Sequence, residues 1–424
     1  MAVASVLTGC AHRRSIEAMA YRDAMRDLAL EQEARRDTAT IVAMAVQPRQ
    51  QTAEERWRDN VALRIDSALA DTACLRFLTA VSIYDITAEQ PVYRLNEQVR
   101  MRPASTEKLV TAIAALDLLG TDYTFDTRIL TQGTLSGGTL SGDLWIVGSM
   151  DPVMTKNDLR ELCRAVKKAG VSRVEGHVYV DLGLKDKDKY GWGWCWDDKN
   201  PTLTPLLLGG KPEFIGSLSA QLQAAGISMH HTAVKQGAVP EGARELVRQS
   251  RPLMEVLEPM MKKSDNLYAE CVFYQMASLT GKRMAAHADV AAVIGQVIDR
   301  AGASSNHVLV ADGSGLSLYN YQTAETYIAL LRYIHAKPEA CQMLMQVLPI
   351  AAVDGTLKNR MSNTAAADNL RAKTGTVAGV STLTGYTTSR TTGHLIAFAI
   401  LTNGVEQSRT GHNLQDKICI AISE

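Results

Sequence analysis

Apolar and polar positions divide the chain into strand-like ends and a helical middle. Residues 77–86 (FLTAVSIYDI) and 92–95 (VYRL) are rich in β-branched and apolar side chains, which predicts two strands. Residues 381–388 (STLTGYTT) and 394–403 (HLIAFAILTN) have the same character. A sheet assembled from both ends of the chain, with helices packed against it, satisfies this order.

Helical periodicity occupies the stretches between these strands. Apolar residues recur at helical spacing from Ser105 to Leu119, and Gly120 ends the run, which predicts a buried helix that begins near Ser105. The same spacing returns over residues 253–277 and 288–301. We therefore expect an α/β (α+β) fold in which helices flank an antiparallel sheet.

The middle of the chain has a different texture. Residues 131–242 contain glycine-rich short strands interleaved with helical patches. A chain of 424 residues also exceeds the size at which one hydrophobic core stops growing. We predict that residues 61–130 and 243–424 form one domain and that residues 131–242 form an α+β subdomain inserted into it.

Composition excludes several classes of function. Lys plus Arg and Asp plus Glu number 45 each, so no overall field attracts nucleic acid or anionic lipid. No run approaches the ~18 uncharged apolar residues that span a bilayer. The seven cysteines lack C-x-x-C spacing and give no metal hypothesis, and nothing suggests a cofactor. One or two disulfides and buried free thiols both remain open.

The first sixty residues mix charges of both signs with few large apolar residues, which predicts a tether or solvated helix over residues 1–60. Residues 7–10 (LTGC) resemble the box at which bacterial lipoprotein precursors are cut and lipidated, here on Cys10. The preceding residues lack the basic region and longer apolar stretch of a secretory signal. A lipid anchor at Cys10 and a chance match therefore both stay open.

Three short motifs occur in order, at residues 105–108 (STEK), 264–266 (SDN) and 373–375 (KTG). A Ser-x-x-Lys match is expected about once by chance in such a chain, and each tripeptide on the order of one time in twenty. Their joint occurrence therefore points to a shared site rather than to coincidence.

The first motif pairs a nucleophile with a base. If Ser105 opens a helix, Lys108 lies one turn further on the same face, beside the hydroxyl. A lysine takes a proton near pH 7 only if burial or a second cation lowers its pKa, and Lys373 is a candidate for that cation. Free N–H groups at the helix start favour an oxyanion. The alternative is that Ser105 merely caps the helix and Lys108 is solvated.

The other two motifs supply proton relay and substrate binding. We predict that Ser264 passes a proton to the leaving amine and that Asn266 holds the substrate amide, although Ser264 or Asp265 as a plain helix cap is an alternative. Lys373 is predicted to attract a substrate carboxylate. The strand that follows it is predicted to be an edge strand along which a peptide lies, with an incidental surface turn as the alternative.

Within that strand, Thr374, Gly375 and Thr376 are predicted to bind substrate. Gly375 would let the substrate approach the backbone closely, and Thr376 would supply a hydroxyl and the second N–H of the oxyanion hole.

This motif set is found in penicillin-binding proteins and class A β-lactamases. The flanking residues resemble the D-Ala-D-Ala carboxypeptidases known as class C low-molecular-mass penicillin-binding proteins, from about Leu63 to the C-terminus. The similar segments are 103–109 (PASTEKL), 118–120 (LLG), 191–198 (GWGWCWDD), 312–320 (DGSGLSLYN) and 354–360 (DGTLKNR). One departure is Met150, where the family usually has glycine.

The resemblance implies a penicillin-recognising serine transpeptidase/β-lactamase-like fold split by an insertion after the first motif. It also implies that Ser105 forms an acyl-enzyme with peptidoglycan stem peptides, as a D-Ala-D-Ala carboxypeptidase or an endopeptidase of cross-links, without a cofactor. β-Lactams would be covalent inhibitors. Location in the periplasm or cell envelope, with a lipid anchor at Cys10, is the corresponding expectation.

Two rival functions remain open. A β-lactamase would share the acyl-enzyme chemistry, but the Glu-x-x-Leu-Asn loop of class A enzymes is absent, and class C enzymes usually have tyrosine where this chain has Ser264. A catalytically silent module that binds the wall or senses penicillin is the second rival. The intact residues of the three motifs argue against it.

Overall fold

The computed structural model describes residues 23–37 and 51–424. The helices are α1 (23–37), α2 (Ala53–Leu69), α3 (Glu107–Leu118), α4 (Lys156–Lys168), α5 (Phe214–Ala224), α6 (Leu253–Lys262), α7 (Asn266–Gln275), α8 (His287–Arg300), α9 (Ala324–His335), α10 (Pro338–Val347) and α11 (Ser408–Ser423). The strands are β1 (Leu78–Asp85), β2 (Gln90–Leu95), β3 (Thr124–Ser136), β4 (Thr139–Val147), β5 (Arg173–Val174), β6 (Val178–Asp181), β7 (Ser228–Met229), β8 (Val234–Gln236), β9 (Arg244–Pro252), β10 (Arg371–Val377), β11 (Gly379–Thr388) and β12 (Leu395–Val405).

The chain divides into two units, Met1–Arg56 and Trp57–Glu424. In the first unit, the described residues of α1 are all exposed. Cys10 and most of the predicted tether lie outside the described residues. The second unit contains both sheets and all three sequence motifs.

The central sheet joins the two ends of this second unit. Its strand order is β10-β11-β12-β1-β2, and every neighbouring pair is antiparallel. Strand β1 pairs with β12 along its whole length, from Leu78 opposite Asn403 to Asp85 opposite Ile396. The sheet therefore forms from both chain ends, as the apolar pattern predicted, and β10 lies at one edge.

Helices cover both faces of the central sheet. One core contains apolar residues of α3, α6, α7, α8, α9 and α10 together with Ala80 of β1 and Ala399 of β12. The other core contains α2 and α11, which contribute Trp57, Ile65 and Ile418. Burial on both faces explains the unbroken apolar run of β12, because neither set of alternating side chains meets water.

The second sheet has seven strands in mixed orientation, β3 to β9, and covers a third core with α4 and α5. The segment predicted to be inserted, residues 131–242, lies within the stretch that supplies these strands. Its boundaries as a domain remain a prediction. Met150 lies in the first core, fully buried, with a left-handed φ of +54°. That conformation accounts for glycine being usual there in the related family.

The six cysteines in the described part of the chain are all free, and three of them, Cys163, Cys271 and Cys419, are buried. Within residues 23–37 and 51–424, no helix is both long enough and apolar enough to cross a bilayer.

Candidate active site

Ser105, the predicted nucleophile, lies in a strained turn that is fastened to the central sheet. Ser105 belongs to a short 3₁₀ turn that leads directly into α3, and the preceding Ala104 has φ +48°, a left-handed conformation uncommon outside glycine. The Thr106 hydroxyl donates to the Pro103 carbonyl oxygen at 2.7 Å, and the Thr382 hydroxyl of β11 donates to the same oxygen at 2.7 Å. These bonds hold the turn against the sheet.

Two glycines allow this turn to be approached closely from two sides. A Cβ at Gly375 of β10 would lie 2.1 Å from the Thr382 hydroxyl oxygen and 3.0 Å from the Ser105 nitrogen. A Cβ at Gly315, whose φ is +79°, would lie 1.8 Å from the Ala104 carbonyl oxygen. We predicted that Gly375 makes room for substrate, whereas in the structure that space is taken by the turn that carries the nucleophile.

Lys108 is fully buried and has three hydrogen-bond partners. Its Nζ lies 2.9 Å from Ser105 Oγ, 2.8 Å from Asn266 Oδ1 and 2.7 Å from the Ser314 carbonyl oxygen. The carbonyl and amide oxygens only accept, so they use both N–H bonds of a neutral amine. The remaining lone pair then faces the Ser105 hydroxyl. In this arrangement a neutral Lys108 amine can accept the proton of the Ser105 hydroxyl.

Burial lowers the pKa of Lys108 to about 8, and nearby carboxylates, led by Asp312 and Glu270, act in the opposite direction. Lys373, predicted as the cation that depresses this pKa, is not its main cause; the depression comes from burial. The neutral base is consequently well populated close to physiological pH.

A cluster of three buried carboxyl groups lies beneath Lys108. Asp312 accepts hydrogen bonds from its neighbourhood on both oxygens; its donors are the backbone N–H groups of Ser314, Gly315 and Ser317 and the side chains of Asn320 and Trp194. Burial, reinforced by Asp312, raises the pKa of Glu270 to about 8. Burial also raises the pKa of Glu107 well above its usual range. Five donors therefore converge on Asp312, whereas burial disfavours the charged forms of Glu270 and Glu107.

The second motif supplies a hydroxyl to the other side of the cleft. Ser264 has a left-handed φ of +59°, and its Oγ accepts a hydrogen bond from Lys373 Nζ at 2.9 Å. Lys373 is fully buried and also donates to the Thr374 carbonyl oxygen at 2.7 Å. Burial, followed by repulsion from Lys108, lowers the pKa of Lys373 well below its usual value.

The helix-cap alternative describes Asp265 and does not describe Asn266. The Asp265 carboxylate accepts from the Tyr268 backbone N–H at 3.2 Å and so caps α7. Asn266 begins that helix and directs its Oδ1 at Lys108, which leaves the amide donors for a substrate carbonyl. A cavity of about 630 Å³ opens beside Asp265 and Asn266.

The third motif lies on the edge strand β10. Thr374 donates its hydroxyl hydrogen to the Thr356 hydroxyl at 2.7 Å, and the exposed Thr376 hydroxyl lies 3.4 Å from His412 Nε2. The outer edge of β10 is paired near its start, where the Ala372 N–H donates to the Pro349 carbonyl oxygen, and beyond this point the edge presents backbone groups to an extended peptide. The structure thus places Ser105, Lys108 and Asn266 in one hydrogen-bonded group and Ser264 with Lys373 in a second, with Thr374, Gly375 and Thr376 on the same strand as Lys373.

The sequence analysis did not assign roles to Asp312, Glu270, Glu107 or Thr356. Asp312 and Thr356 belong to segments noted only for their family resemblance, which was the available signal for them. Glu107 and Glu270 gave no signal, because a glutamate in a helix is usually solvated. Among the described residues, no group of three or more His, Cys, Asp or Glu side chains is arranged to hold a metal ion.

A model of the D-Ala-D-Ala carboxypeptidase 3 (S13) family matches residues 61–206 and 211–422. The chain belongs to this family. Membership makes it a serine peptidase of the D-Ala-D-Ala carboxypeptidase class, as the motif set predicted. The S13 model covers most of the second unit and all of the residues that form the hydrogen-bonded group around Ser105.

Relatives and solved structures agree with the S13 assignment. A carboxypeptidase of Mycobacterium tuberculosis is 30% identical over 79% of this chain and 78% of its own. The D-alanyl-D-alanine carboxypeptidase DacB of Haemophilus influenzae is 26% identical over 76% of this chain and 84% of its own. The crystal structure of H. influenzae penicillin-binding protein 4 covers 85% of this chain and 99% of its own with a TM-score of 0.75 and 23% identity. That protein has also been solved in complex with a β-lactam.

Proposed function

We propose that the protein hydrolyses the peptide bond between two D-alanines in peptidoglycan stem peptides, through an acyl-enzyme on Ser105. The observation that carries this proposal is the contact of a buried Lys108 with Ser105 Oγ, while the two other partners of Lys108 are pure acceptors. An amine held in this way accepts the hydroxyl proton as the Ser105 oxygen attacks the carbonyl carbon.

The remaining groups complete the acylation step. The oxyanion would be stabilised by the backbone N–H groups of Ser105 and Thr376, which lie on facing elements. The Ser264 hydroxyl would donate a proton to the amine of the leaving D-alanine and be reprotonated with the proton that Lys108 took from Ser105, so that Lys108 is neutral again when acylation is complete. Water then attacks the ester carbonyl, Lys108 takes the proton of that water, and Ser105 Oγ leaves with a proton returned to it.

Lys373 suits a substrate that ends in a carboxylate. Its pKa is lowered by burial, so the charged form needs a negative partner in the cleft. A C-terminal carboxylate bound near Lys373 and the Thr376 hydroxyl would supply that charge. The free end of a D-Ala-D-Ala peptide and the D-centre of a cross-link both offer such a group, so we include endopeptidase action in the proposal.

The test is D-alanine release from a muropeptide that ends in D-Ala-D-Ala, followed by mass spectrometry together with cleavage of a cross-linked dimer. Wild-type protein is expected to release product, and the Ser105→Ala variant is expected not to. The ratio of the two activities identifies the preferred bond. A folded wild-type protein that turns over neither substrate would overturn the proposal and favour a silent binding module.

We also propose that β-lactams acylate Ser105, since their ring carbonyl would occupy the position of the scissile carbonyl. Acylation is expected to be stoichiometric and slowly reversed. Repeated turnover of nitrocefin by the wild type would instead indicate a β-lactamase. A fluorescent penicillin that labels wild-type protein and not Ser105→Ala would support the assignment of the nucleophile.

The substrate of this chemistry lies outside the cytoplasm, so we propose location in the periplasm or cell envelope. The LTGC segment supports a lipid anchor on Cys10. Labelling with a radioactive fatty acid in the native host tests it: the wild-type chain is expected to be labelled and to sediment with membranes, and Cys10→Ala is expected to do neither. Labelling of both, or of neither, would contradict the anchor.

A further inference from the structure

Exposed aromatic side chains are concentrated in one place on this protein. Tyr190 is 56% exposed, Trp192 45%, Trp196 93% and Tyr319 46%. In residues 23–37 and 51–424 no other Phe, Tyr or Trp is exposed. Residues 192–196 also contain three of the five tryptophans of the chain. We call these four side chains the aromatic patch; large exposed apolar groups in one place commonly mark a binding surface.

The loop that carries most of the patch is built as a closed unit. The Leu203 backbone N–H donates to the Lys189 carbonyl oxygen at 2.9 Å, which joins the two ends of the loop. In the middle of the loop, the partly buried Trp194 donates its Nε1 hydrogen to Asp312 Oδ2 at 2.8 Å. Asp312 is the carboxylate beneath the catalytic lysine. The loop is therefore fastened to the catalytic centre while its other tryptophans face outward.

Local packing orients the rings of the aromatic patch. Trp192 stacks on His287 at 5.0 Å with a 19° interplanar angle and contacts Tyr319 at 4.8 Å. A Cβ at Gly193, whose φ is +76°, would lie 2.4 Å from the Tyr319 ring, so glycine is needed for this packing. The Trp192 ring therefore packs against His287 and Tyr319 and remains about half exposed to solvent.

The loop that carries most of the aromatic patch also reaches the cavity beside Asn266. Lys199, Asn200 and Pro201 of the same loop line the cavity that Asp265 and Asn266 also line. In peptidoglycan, the stem peptide is attached at its other end to a chain of N-acetylated sugars. A stem peptide with its D-alanines at Ser105 that extended past Asn266 into this cavity would bring its sugars toward the loop.

We propose that the aromatic patch binds the glycan strand to which the scissile peptide is attached, by stacking the C–H faces of pyranose rings on Trp192 and Trp196. The proposal rests on the proposed function for the identity of the peptide. Aromatic faces suit such rings because they pair apolar area with polarisable π electrons. Neighbouring side chains with donors and acceptors would reach the sugar hydroxyl and acetamido groups.

Charge favours a neutral ligand over an anionic membrane surface, the other common partner of exposed Trp and Tyr. The charged residues of this loop region nearly balance: Asp186, Lys187, Asp188, Lys189, Asp197, Asp198 and Lys199. A membrane-binding surface would be expected to show an excess of Lys and Arg. A glycan makes no such demand.

The first test compares one peptide with and without sugars. Free pentapeptide, the same peptide on a disaccharide and the same peptide on a tetrasaccharide serve as substrates for wild type, Trp192→Ala, Trp196→Ala and the control Leu75→Ala, which removes a 73% exposed apolar side chain elsewhere. The two tryptophan variants are expected to raise KM for the tetrasaccharide substrate about tenfold, with kcat unchanged and free pentapeptide unaffected. Equal losses on all three substrates, or no loss, would overturn the proposal.

The second test does not depend on turnover. Peptide-free glycan tetrasaccharide is titrated into Ser105→Ala protein, and tryptophan fluorescence is followed; Ser105→Ala/Trp196→Ala and Ser105→Ala/Leu75→Ala are treated alike. Saturable quenching that Trp196→Ala weakens and Leu75→Ala leaves intact would support the proposal even if D-alanine release failed. Absence of glycan binding, or Trp196-dependent binding to anionic lipid vesicles instead, would overturn it.

Discussion

The two lysines of the cleft are equally buried, yet their surroundings differ. Lys108 lies above the carboxyl cluster, in which Asp312 makes the largest contribution against burial, so the pKa of Lys108 falls only to about 8. Lys373 lacks such support, and repulsion from Lys108 adds to burial in lowering its pKa. Desolvation acts on both lysines, and the local carboxylates decide how far each responds.

This difference in pKa matches the two roles proposed for the lysines, Lys108 as a base and Lys373 as a carboxylate-binding group. A base must lose and regain a proton at each turnover, which requires a pKa near the working pH, and the carboxyl cluster supplies that adjustment for Lys108. A group that recognises a carboxylate needs its charge only when substrate is present. In the proposed reaction the substrate carboxylate would complete an ion pair with Lys373, so that binding of substrate and protonation of this lysine would be coupled.

Replacing the base is expected to have the largest effect. Lys108→Met keeps the length of the side chain and removes the amine that faces Ser105. We expect kcat/KM for a D-Ala-D-Ala substrate to fall about a thousandfold, because the unassisted serine hydroxyl is a poor nucleophile. Steady-state kinetics measures it, with circular dichroism as the folding control. A loss below tenfold would show that another group is the base.

Removing the second lysine is expected to cost less and to depend on the substrate. Lys373→Met should lower kcat/KM about a hundredfold for a peptide with a free C-terminus, because a carboxylate loses its partner. The same peptide with a C-terminal amide serves as the control, and on it the variant and the wild type should be nearly equal. An identical loss on both peptides would place Lys373 in proton transfer instead of recognition.

The carboxyl cluster is tested through pH dependence. The neutral form of Lys108 is the active one, so kcat/KM of the wild type should rise as pH increases through about 8. Asp312→Asn removes a negative charge that raises the pKa of Lys108, so this rise should move to lower pH, with kcat/KM at its plateau reduced about tenfold at most.

Thermal unfolding of Asp312→Asn must accompany that profile, because Asp312 accepts several buried hydrogen bonds. If Asp312→Asn is folded and its pH profile of kcat/KM is not shifted, the double variant Asp312→Asn/Glu270→Gln is measured next. Glu270 is the carboxyl group best placed to replace the charge that Asp312→Asn removes, and the double variant removes both. If the double variant is unshifted as well, the cluster does not adjust Lys108.

The smallest effect concerns a support of the binding strand. Thr356 accepts the hydroxyl hydrogen of Thr374 at 2.7 Å. Thr356→Val preserves shape and removes this bond, so we expect KM to rise about threefold with kcat unchanged, consistent with one neutral hydrogen bond. Thr356→Ser, which retains the hydroxyl, is the matched control and should restore the wild-type KM.

The apolar pattern anticipated the central sheet well. The runs 77–86 and 394–403 correspond to β1 and β12. Strands that are buried on both faces are apolar at nearly every position, so they are easily recognised in the sequence. Strand β9 was missed because its side chains are largely exposed and charged. Helical periodicity is continuous over 253–277 and therefore gave no sign of a break between two helices. In the structure α6 ends at Lys262, Ser264 has φ +59°, and α7 begins at Asn266.

The site was anticipated unevenly for a physical reason. The proximity of residues that are close in sequence, such as Ser105 and Lys108, can be predicted from helix geometry. The contact between Lys108 and Asn266 and the burial of Glu107 depend on packing among distant segments. The use of the space at Gly375 by the Ser105 turn likewise became visible only once β10 was placed.

The pairing of β1 with β12 has a consequence for how this enzyme comes into being. Strand β1 is among the first parts of the second unit to be synthesised, whereas its long partner ends at Val405. Until that strand arrives, β11 and β10 also lack their anchor, and Lys373 has no fixed place. A chain still emerging from a ribosome therefore has no assembled cleft, and we expect hydrolytic activity to start only after nearly the whole polypeptide has been synthesised.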